Sequence, residues 1–167
     1  MVNIFLFTAP VNSGKTTALM EWVKDKQNIG GILAPDIDGL RRLYTLHSRK
    51  LHPFQLTEEE AARAAPGELA TISKFHFAAS AFALARQTIL EDSQRGCDWV
   101  VVDEIGKLEL KREGLEPAAG EVIRRFRSGE VSGKLLLVVR EQLAEEVARH
   151  YGLEPYEVFR LGEALPA

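Results

Sequence analysis

Eight residues near the start of the chain, Ala9-Pro-Val-Asn-Ser-Gly-Lys-Thr16, constrain its fold more than any other segment. They follow an apolar run, residues 2–7, whose length is that of a buried strand. They lead into residues 16–26, where apolar residues recur at the three- and four-residue spacing of one helix face. The segment therefore has the strand–loop–helix context that a Walker A motif requires.

The chemistry of such a loop gives a role to several of its residues. Gly14 lets the backbone approach phosphate oxygens, toward which N–H groups at the start of the next helix point. Lys15 places an ammonium group between the β- and γ-phosphates, and the Thr16 hydroxyl can ligate magnesium. Ala9 stands where the motif usually has its first glycine, and we interpret this change as a tolerated one. The loop predicts binding of a nucleoside triphosphate with Mg²⁺.

A pair of acidic residues follows a second apolar strand. The run Val100-Val-Val-Asp103-Glu104 has Walker B form, and its β-branched residues are typical of a strand buried on both faces. Ligands of open parallel sheets bind at the carboxyl ends of the strands, where this pair is predicted to lie. We predict that Asp103, together with Thr16, holds Mg²⁺, and that Glu104 orients or deprotonates the water attacking the γ-phosphate. The predicted nucleotide-binding residues are Ala9, Pro10, Val11, Asn12, Ser13, Gly14, Lys15, Thr16, Thr17, Asp103 and Glu104.

Strand-like and helical patterns alternate along most of the remaining chain. Helices are predicted over residues 80–95, 117–127 and 141–150, and strands over residues 32–34, 135–139 and 157–161. This alternation implies right-handed crossovers and a parallel sheet between two layers of helices. The predicted fold class is α/β, a three-layer P-loop NTPase domain with a mainly parallel sheet.

Residues 36–56 interrupt this alternation. Two apolar segments, residues 43–47 and 51–56, are separated by Ser48-Arg-Lys, which predicts an inserted β-hairpin. Thr57 and Glu60 then have the spacing of a capping box, so a short helix is expected before Pro66-Gly67. Residues 72–77 are predicted to form one further strand.

Length and composition limit the remaining possibilities. A chain of 167 residues fits a single domain over residues 1–167, and its formal net charge of -3 argues against nucleic-acid binding. No segment has the length of a membrane span, and the first apolar run is too short for a signal peptide. Cys97 is the only cysteine, which favours a reducing compartment. We expect a cytoplasmic protein, and the sequence gives no indication of a protein partner.

The longer run Asp103-Glu-Ile-Gly-Lys-Leu-Glu-Leu110 resembles the THEP-type nucleoside-triphosphatases. That family has Asp-Glu-Ile-Gly-Lys-Met-Glu-Leu, so Leu108 in place of methionine is the only change. The resemblance implies a small α/β P-loop domain that hydrolyses ATP, GTP and other nucleoside triphosphates with magnesium, slowly and with little base selectivity. By matching position it carries over Lys15, Thr16, Asp103 and Glu104.

The source of positive charge at the γ-phosphate is less sharply defined. Arg140 follows the apolar strand 135–139, so its guanidinium is expected at the same sheet edge as Glu104. We predict that Arg140, Lys15 and Glu104 form the catalytic group, with Arg140 as an internal sensor or finger. The alternative is that Arg140 only flanks the next helix, with its charge in solvent. The other candidate cations are Lys107, Arg41, Arg42 and Arg49.

Three activities are compatible with these motifs. Magnesium-dependent hydrolysis of nucleoside triphosphates is the favoured hypothesis. A kinase that transfers the γ-phosphoryl group to a small molecule or nucleotide is the second, with residues 36–56 covering the acceptor. A nucleotide-gated switch that serves a protein partner is the third.

Overall fold

The computed structural model of the protein describes residues 2–10, 13–72 and 74–166. The strands are β1 (Ile4–Ala9), β2 (Ile29–Leu33), β3 (Asp36–Ile37), β4 (Leu40–Thr45), β5 (Lys50–Pro53), β6 (Gln55–Leu56), β7 (Leu69–Ile72), β8 (Phe75–Ala78), β9 (Trp99–Asp103), β10 (Lys134–Arg140) and β11 (Glu157–Arg160). The α-helices are α1 (Lys15–Trp22), α2 (Glu58–Arg63), α3 (Ala79–Ser93), α4 (Lys107–Leu110), α5 (Ala118–Ser128) and α6 (Ala144–Tyr151). Turns of 3₁₀-helix occupy Val23–Asp25 and Glu141–Leu143. In the described part of the chain, no helix has the length and apolar character needed to cross a membrane.

The main sheet is parallel over five strands, in the order β11-β1-β10-β9-β2. Strand β4 continues it antiparallel to β2, and β3 and β5 pair with β4. The predicted α/β class with a mainly parallel sheet is confirmed. Because β10 lies between β1 and β9, one strand separates the phosphate-loop strand from the strand that ends in Asp103.

Successive side chains of the central strands enter opposite layers, as the two-residue period of a strand requires. In β10, Leu135, Leu137 and Val139 pack toward α3, α5 and α6. Leu136 and Val138 point to the other face, where Leu19 of α1 lies. Since both faces are covered, the central strands are buried throughout and the three-layer arrangement is confirmed.

The inserted region is larger than the single hairpin predicted. The hairpin itself is present as β4 and β5, and Thr57 and Glu60 form the expected capping box at the start of α2. The single strand predicted over residues 72–77 is wrong, because the chain reverses there and forms the β7–β8 pair with Ile72 opposite Phe75. Strand β6 joins this pair in a separate three-stranded sheet. The local sequence pattern does not reveal this reversal of the chain, because the reversal lies within a single apolar run.

Two glycines let β2 pack closely against its neighbours. Gly31 has a φ of 99°, and a Cβ at this position would overlap the backbone of Val101 in β9. A Cβ on Gly30 would overlap Asp92 of α3, whose carboxylate accepts the Gly31 N–H at 2.8 Å. Asp92 is only 2% exposed and also accepts from Arg95 Nε at 2.8 Å. The absence of a side chain at Gly30 therefore makes room for the buried Asp92 carboxylate, which joins α3 to the sheet.

We expect Gly31→Ala to lower the free energy of unfolding by about 3 kcal/mol or more, since it adds a backbone overlap to the cost of a left-handed conformation. Gly39→Ala is the matched control, because Gly39 also has a positive φ, 82°, but nothing lies within 4 Å of its added Cβ. Its cost should stay near 1 kcal/mol. Urea unfolding of both variants measures the difference, and equal losses would contradict the close approach of β2 to β9.

Candidate active site

Three neighbouring parallel strands bring the predicted residues to one edge of the sheet. Ala9, the last residue of β1, lies opposite Arg140, the last residue of β10. Val138 of β10 lies opposite Asp103, the last residue of β9. The phosphate loop, Arg140 and the acidic pair therefore share the carboxyl edge at which open parallel sheets bind ligands.

The phosphate loop meets α1 at a left-handed glycine. Gly14 has a φ of 88°, and α1 begins at Lys15. Apart from its two chain neighbours, no atom of the described residues lies within 4 Å of where a Cβ on Gly14 would be. Among the residues that the structure describes, no side chain caps this helix, and N–H groups of a first helical turn have no partner within the helix, so they can bind an anion. Pro10 and Thr17 are exposed and Ser13 is half-buried. The predicted loop residues Val11 and Asn12 lie outside the described residues.

Asp103 is a buried carboxylate that joins three elements. Its Oδ2 accepts from the Thr16 hydroxyl of α1 at 3.0 Å and from the Ala34 N–H, just after β2, at 3.1 Å. The pKa of Asp103 is raised to about 6, mainly by burial and also by the neighbouring Glu104 charge, whereas the two hydrogen bonds oppose the shift. Ala34 is a contribution that sequence motifs do not reveal, because it acts through its backbone.

The second oxygen of Asp103 provides a test of whether magnesium fits here. Among the residues that the structure describes, Oδ1 is buried and has no hydrogen-bond partner. An unpartnered buried carboxylate oxygen is costly unless a cation or water occupies its free side. A carboxylate and a hydroxyl are hard oxygen ligands, and Mg²⁺ commonly uses one or two carboxylates together with substrate phosphates. Thr16 and Asp103 therefore fit a magnesium site completed by a nucleotide.

Glu104 lies between two cations. Its Oε2 is 3.5 Å from Lys15 Nζ, and its Oε1 is 3.5 Å from Arg140 Nε. The side chains of Lys15 and Glu104 are 11% and 20% exposed, whereas that of Arg140 is 40% exposed. The structure thus brings together the three residues predicted as the catalytic group, with the carboxylate paired to both groups that a γ-phosphate would attract.

The other candidate cations lie in different surroundings. Arg41 Nε is 3.4 Å from Asp36 Oδ1, and its charge is close enough to lower the pKa of Asp103 slightly. Arg49 donates to the backbone carbonyls of Val23 and Lys26, which holds its guanidinium at the end of the first helix. Lys107 lies exposed at the start of α4, and Arg42 lies close enough to Glu60 for its charge to act on that carboxylate.

A second buried carboxylate, which our functional predictions did not include, lies just beyond the acidic pair. Glu109 is 4% exposed, and its two oxygens accept from the N–H groups of Gly106 at 2.8 Å and Leu115 at 2.9 Å. The pKa of Glu109 is raised to about 7, mainly by burial and to a smaller extent by the charge of Glu104, whereas the two backbone donors oppose the shift. In the sequence, Glu109 is marked only by its place in the run that ends at Leu110. No local sequence pattern indicates that a glutamate will be buried.

Comparison with known proteins gives two matches. A family model described as NTPase matches residues 3–163. The solved structure of THEP1 from the hyperthermophile Aquifex aeolicus is similar, with a TM-score of 0.60 over 95% of this chain and 89% of that chain. The two sequences are 15% identical, so this likeness concerns the fold. No curated protein matches the sequence.

The pKa of Glu109 has a consequence for stability. Between pH 4.5, its ordinary pKa, and about 7, the folded chain binds a proton at Glu109 more tightly than the unfolded chain does. The free energy of unfolding should therefore fall as pH rises through this range. Relative to Glu109→Gln, which cannot titrate, wild type should lose about 3 kcal/mol between these pH values.

Urea unfolding of both proteins from pH 4.5 to 8 measures this difference. Asp103 is present in both proteins, so its own titration cancels. The lost hydrogen bond of the variant adds an offset that does not depend on pH. A wild-type-minus-variant difference that stays constant with pH would show that Glu109 is not the titrating group.

Proposed function

The chain belongs to the NTPase family, and from this premise we propose that it hydrolyses nucleoside triphosphates, with magnesium, to the diphosphate and phosphate. The observation that carries the proposal is the position of Glu104, at the sheet edge between Lys15 and Arg140. This arrangement supplies a base for water and two cations for a γ-phosphate within one cluster. We further propose a single domain over residues 1–167 that acts in the cytoplasm.

Phosphate binding exchanges the partners of both cations. The open N–H groups at the start of α1 receive phosphate oxygens, and Lys15 moves from Glu104 to the β- and γ-phosphates. Arg140 can then turn its guanidinium to an equatorial γ-phosphate oxygen, for which its fork of donors is suited. Both ion pairs to Glu104 break, and its carboxylate becomes free to accept a hydrogen bond from water.

The chemical step uses the freed carboxylate. Glu104 takes a proton from water as the water oxygen forms its bond to the γ-phosphorus, and the bond to the bridging oxygen breaks toward the diphosphate. Lys15 and Arg140 stabilise the charge on the transferring group. Thr16 and Asp103 would hold magnesium, which supplies further charge neutralisation when bound. The proton on Glu104 leaves to solvent before the ion pairs form again.

Glu104→Gln tests this proposal most directly. The amide keeps the shape and loses the basic oxygen, so phosphate release should fall about 10²-fold or more. Affinity for a fluorescent triphosphate analogue should be kept or rise, because no carboxylate competes for Lys15 and Arg140. Phosphate release should be measured with magnesium alone and again with a panel of nucleosides and nucleotides.

Glu113→Gln is the matched control, since Glu113 is an exposed acid in the same loop. It should release phosphate at the wild-type rate. Wild-type turnover of Glu104→Gln would refute Glu104 as the base. Product formation only with an added acceptor would replace hydrolysis by a kinase reaction, and tight binding with almost no turnover would favour a switch.

Arg140→Ala separates the two roles considered for that residue. If Arg140 stabilises charge on the γ-phosphate, kcat should fall at least ~10-fold while affinity for the nucleotide stays nearly unchanged. Arg149→Ala removes an exposed arginine in the last turn of α6 and should leave kcat as in wild type. Unchanged kinetics of Arg140→Ala would reduce Arg140 to a residue that pairs with Glu104 only in the absence of nucleotide.

A further inference from the structure

We propose that Glu109 is a positioning residue for hydrolysis, whose carboxylate holds the loop after β9 and thereby sets the position of Glu104 relative to the γ-phosphate. This inference rests on the proposed function of Glu104. The resemblance and the motifs assign no role to Glu109, although it is buried beside the site. The hydrogen bonds described for its carboxylate go to backbone N–H groups of Gly106 and Leu115 rather than to Lys15, Glu104 or Arg140.

The carboxylate closes the loop by joining its two ends. One oxygen binds the Gly106 N–H, two residues after Glu104, and the other binds the Leu115 N–H, nine residues further along the chain. The loop folds closely around this group, because Gly114 has a φ of 64° and a Cβ there would overlap Glu109 Oε2. A glycine next to Leu115 is therefore needed for the second bond.

In the part of the chain that the structure describes, the loop is held by the buried side chains of Ile105 and Leu115 and by hydrogen bonds at its two ends. Helix α4 has only four residues, which is too short to be stable without outside contacts. Arg86 of α3 donates to the Gly114 carbonyl at 2.8 Å and anchors the far end of the loop. At the near end, the Ile105 N–H binds the Val138 carbonyl of β10 at 2.9 Å, and the next fixed backbone group is the Gly106 N–H on Glu109.

These contacts link Glu109 to the chemical step rather than to nucleotide affinity. Glu104 lies between Asp103, which is held in β9, and the Ile105–Gly106 segment. Without the Gly106 bond, the segment after Glu104 would still be held at Ile105, by its N–H bond to Val138 and its buried side chain, but no longer at Gly106. The Ile105–Gly106 peptide could then shift, and a displacement of about 1 Å can cost 10²-fold in rate. The phosphates are bound by the P-loop, whereas the hydrogen bonds that the structure describes for the Glu109 carboxylate go to Gly106 and Leu115. Variants of Glu109 should therefore lower kcat and spare the dissociation constant.

Glu109→Gln is the primary test, in the full chain with magnesium at pH 8, where the wild-type carboxylate is ionised. An amide offers one acceptor oxygen, so it can satisfy only one of the two N–H groups. We expect kcat for phosphate release to fall about 10- to 100-fold, with the dissociation constant of a fluorescent triphosphate analogue within twofold of wild type.

Asp92→Asn is the matched control, because Asp92 is also a buried carboxylate that accepts a backbone N–H, but on α3 against Gly31. It should lower the midpoint of urea unfolding and leave kcat as in wild type when assayed well below its unfolding temperature. An equal loss of kcat in both variants would show that general destabilisation, not positioning, is responsible, and would overturn the proposal.

Gly114→Ala provides an independent variant if Glu109→Gln does not fold. Its Cβ pushes the Glu109 carboxylate away from Leu115 while Glu109 itself is retained, so it should give the same fall in kcat at constant affinity. Wild-type kcat in whichever of the two variants folds would overturn the positioning role. If Glu104→Gln is slow but Glu109→Gln and Gly114→Ala have the wild-type kcat, only the positioning role of Glu109 fails. If Glu104→Gln also has the wild-type kcat, the proposed role of Glu104 fails, and the inference that rests on it fails with it.

Discussion

The site depends first on the buried carboxylate of Asp103. Through one oxygen it joins the first turn of α1, the end of β2 and the end of β9. A carboxylate removed from water is tolerated only where donors surround it, so these three elements must arrive together. The phosphate loop is thereby held in register with the acidic pair before any nucleotide is present. Among the described residues, the other oxygen of Asp103 has no hydrogen-bond partner.

The order of strands explains why three distant segments of sequence act as one site. Strand β10 separates β1 from β9, and its last residue, Arg140, lies between the phosphate loop and Glu104. The width of one strand separates the ends of β1 and β9, and Arg140 on that strand pairs with one oxygen of Glu104 while Lys15 pairs with the other. The pairing register of β10 with β1 and β9 is enough to bring Arg140 to Glu104, without a dedicated loop.

Sequence reasoning was most successful where chemistry and local pattern coincide. The phosphate loop, the strand ending in Asp103 and the apolar strand before Arg140 each have a period or motif that can be read locally, and the fold class followed from their alternation. Ala34 and Glu109 could not be found in this way, because their roles arise from backbone groups and burial that only tertiary structure creates. The β7–β8 reversal was missed for a related reason: strand pairing, not composition, places the turn.

The pairing of Glu104 with Lys15 and Arg140 has a consequence for the effect of ionic strength. An open cluster of cations gathers counterions from solution, and added salt competes with an incoming phosphate for it. Here the neutralising anion is part of the chain and only partly exposed, so screening by salt acts weakly on it. In the proposed mechanism, entry of a nucleotide replaces the Glu104 carboxylate with phosphate oxygens rather than releasing dissolved ions. The proposal therefore implies that nucleotide affinity at this end of the site is set by competition within the protein and varies little with salt concentration.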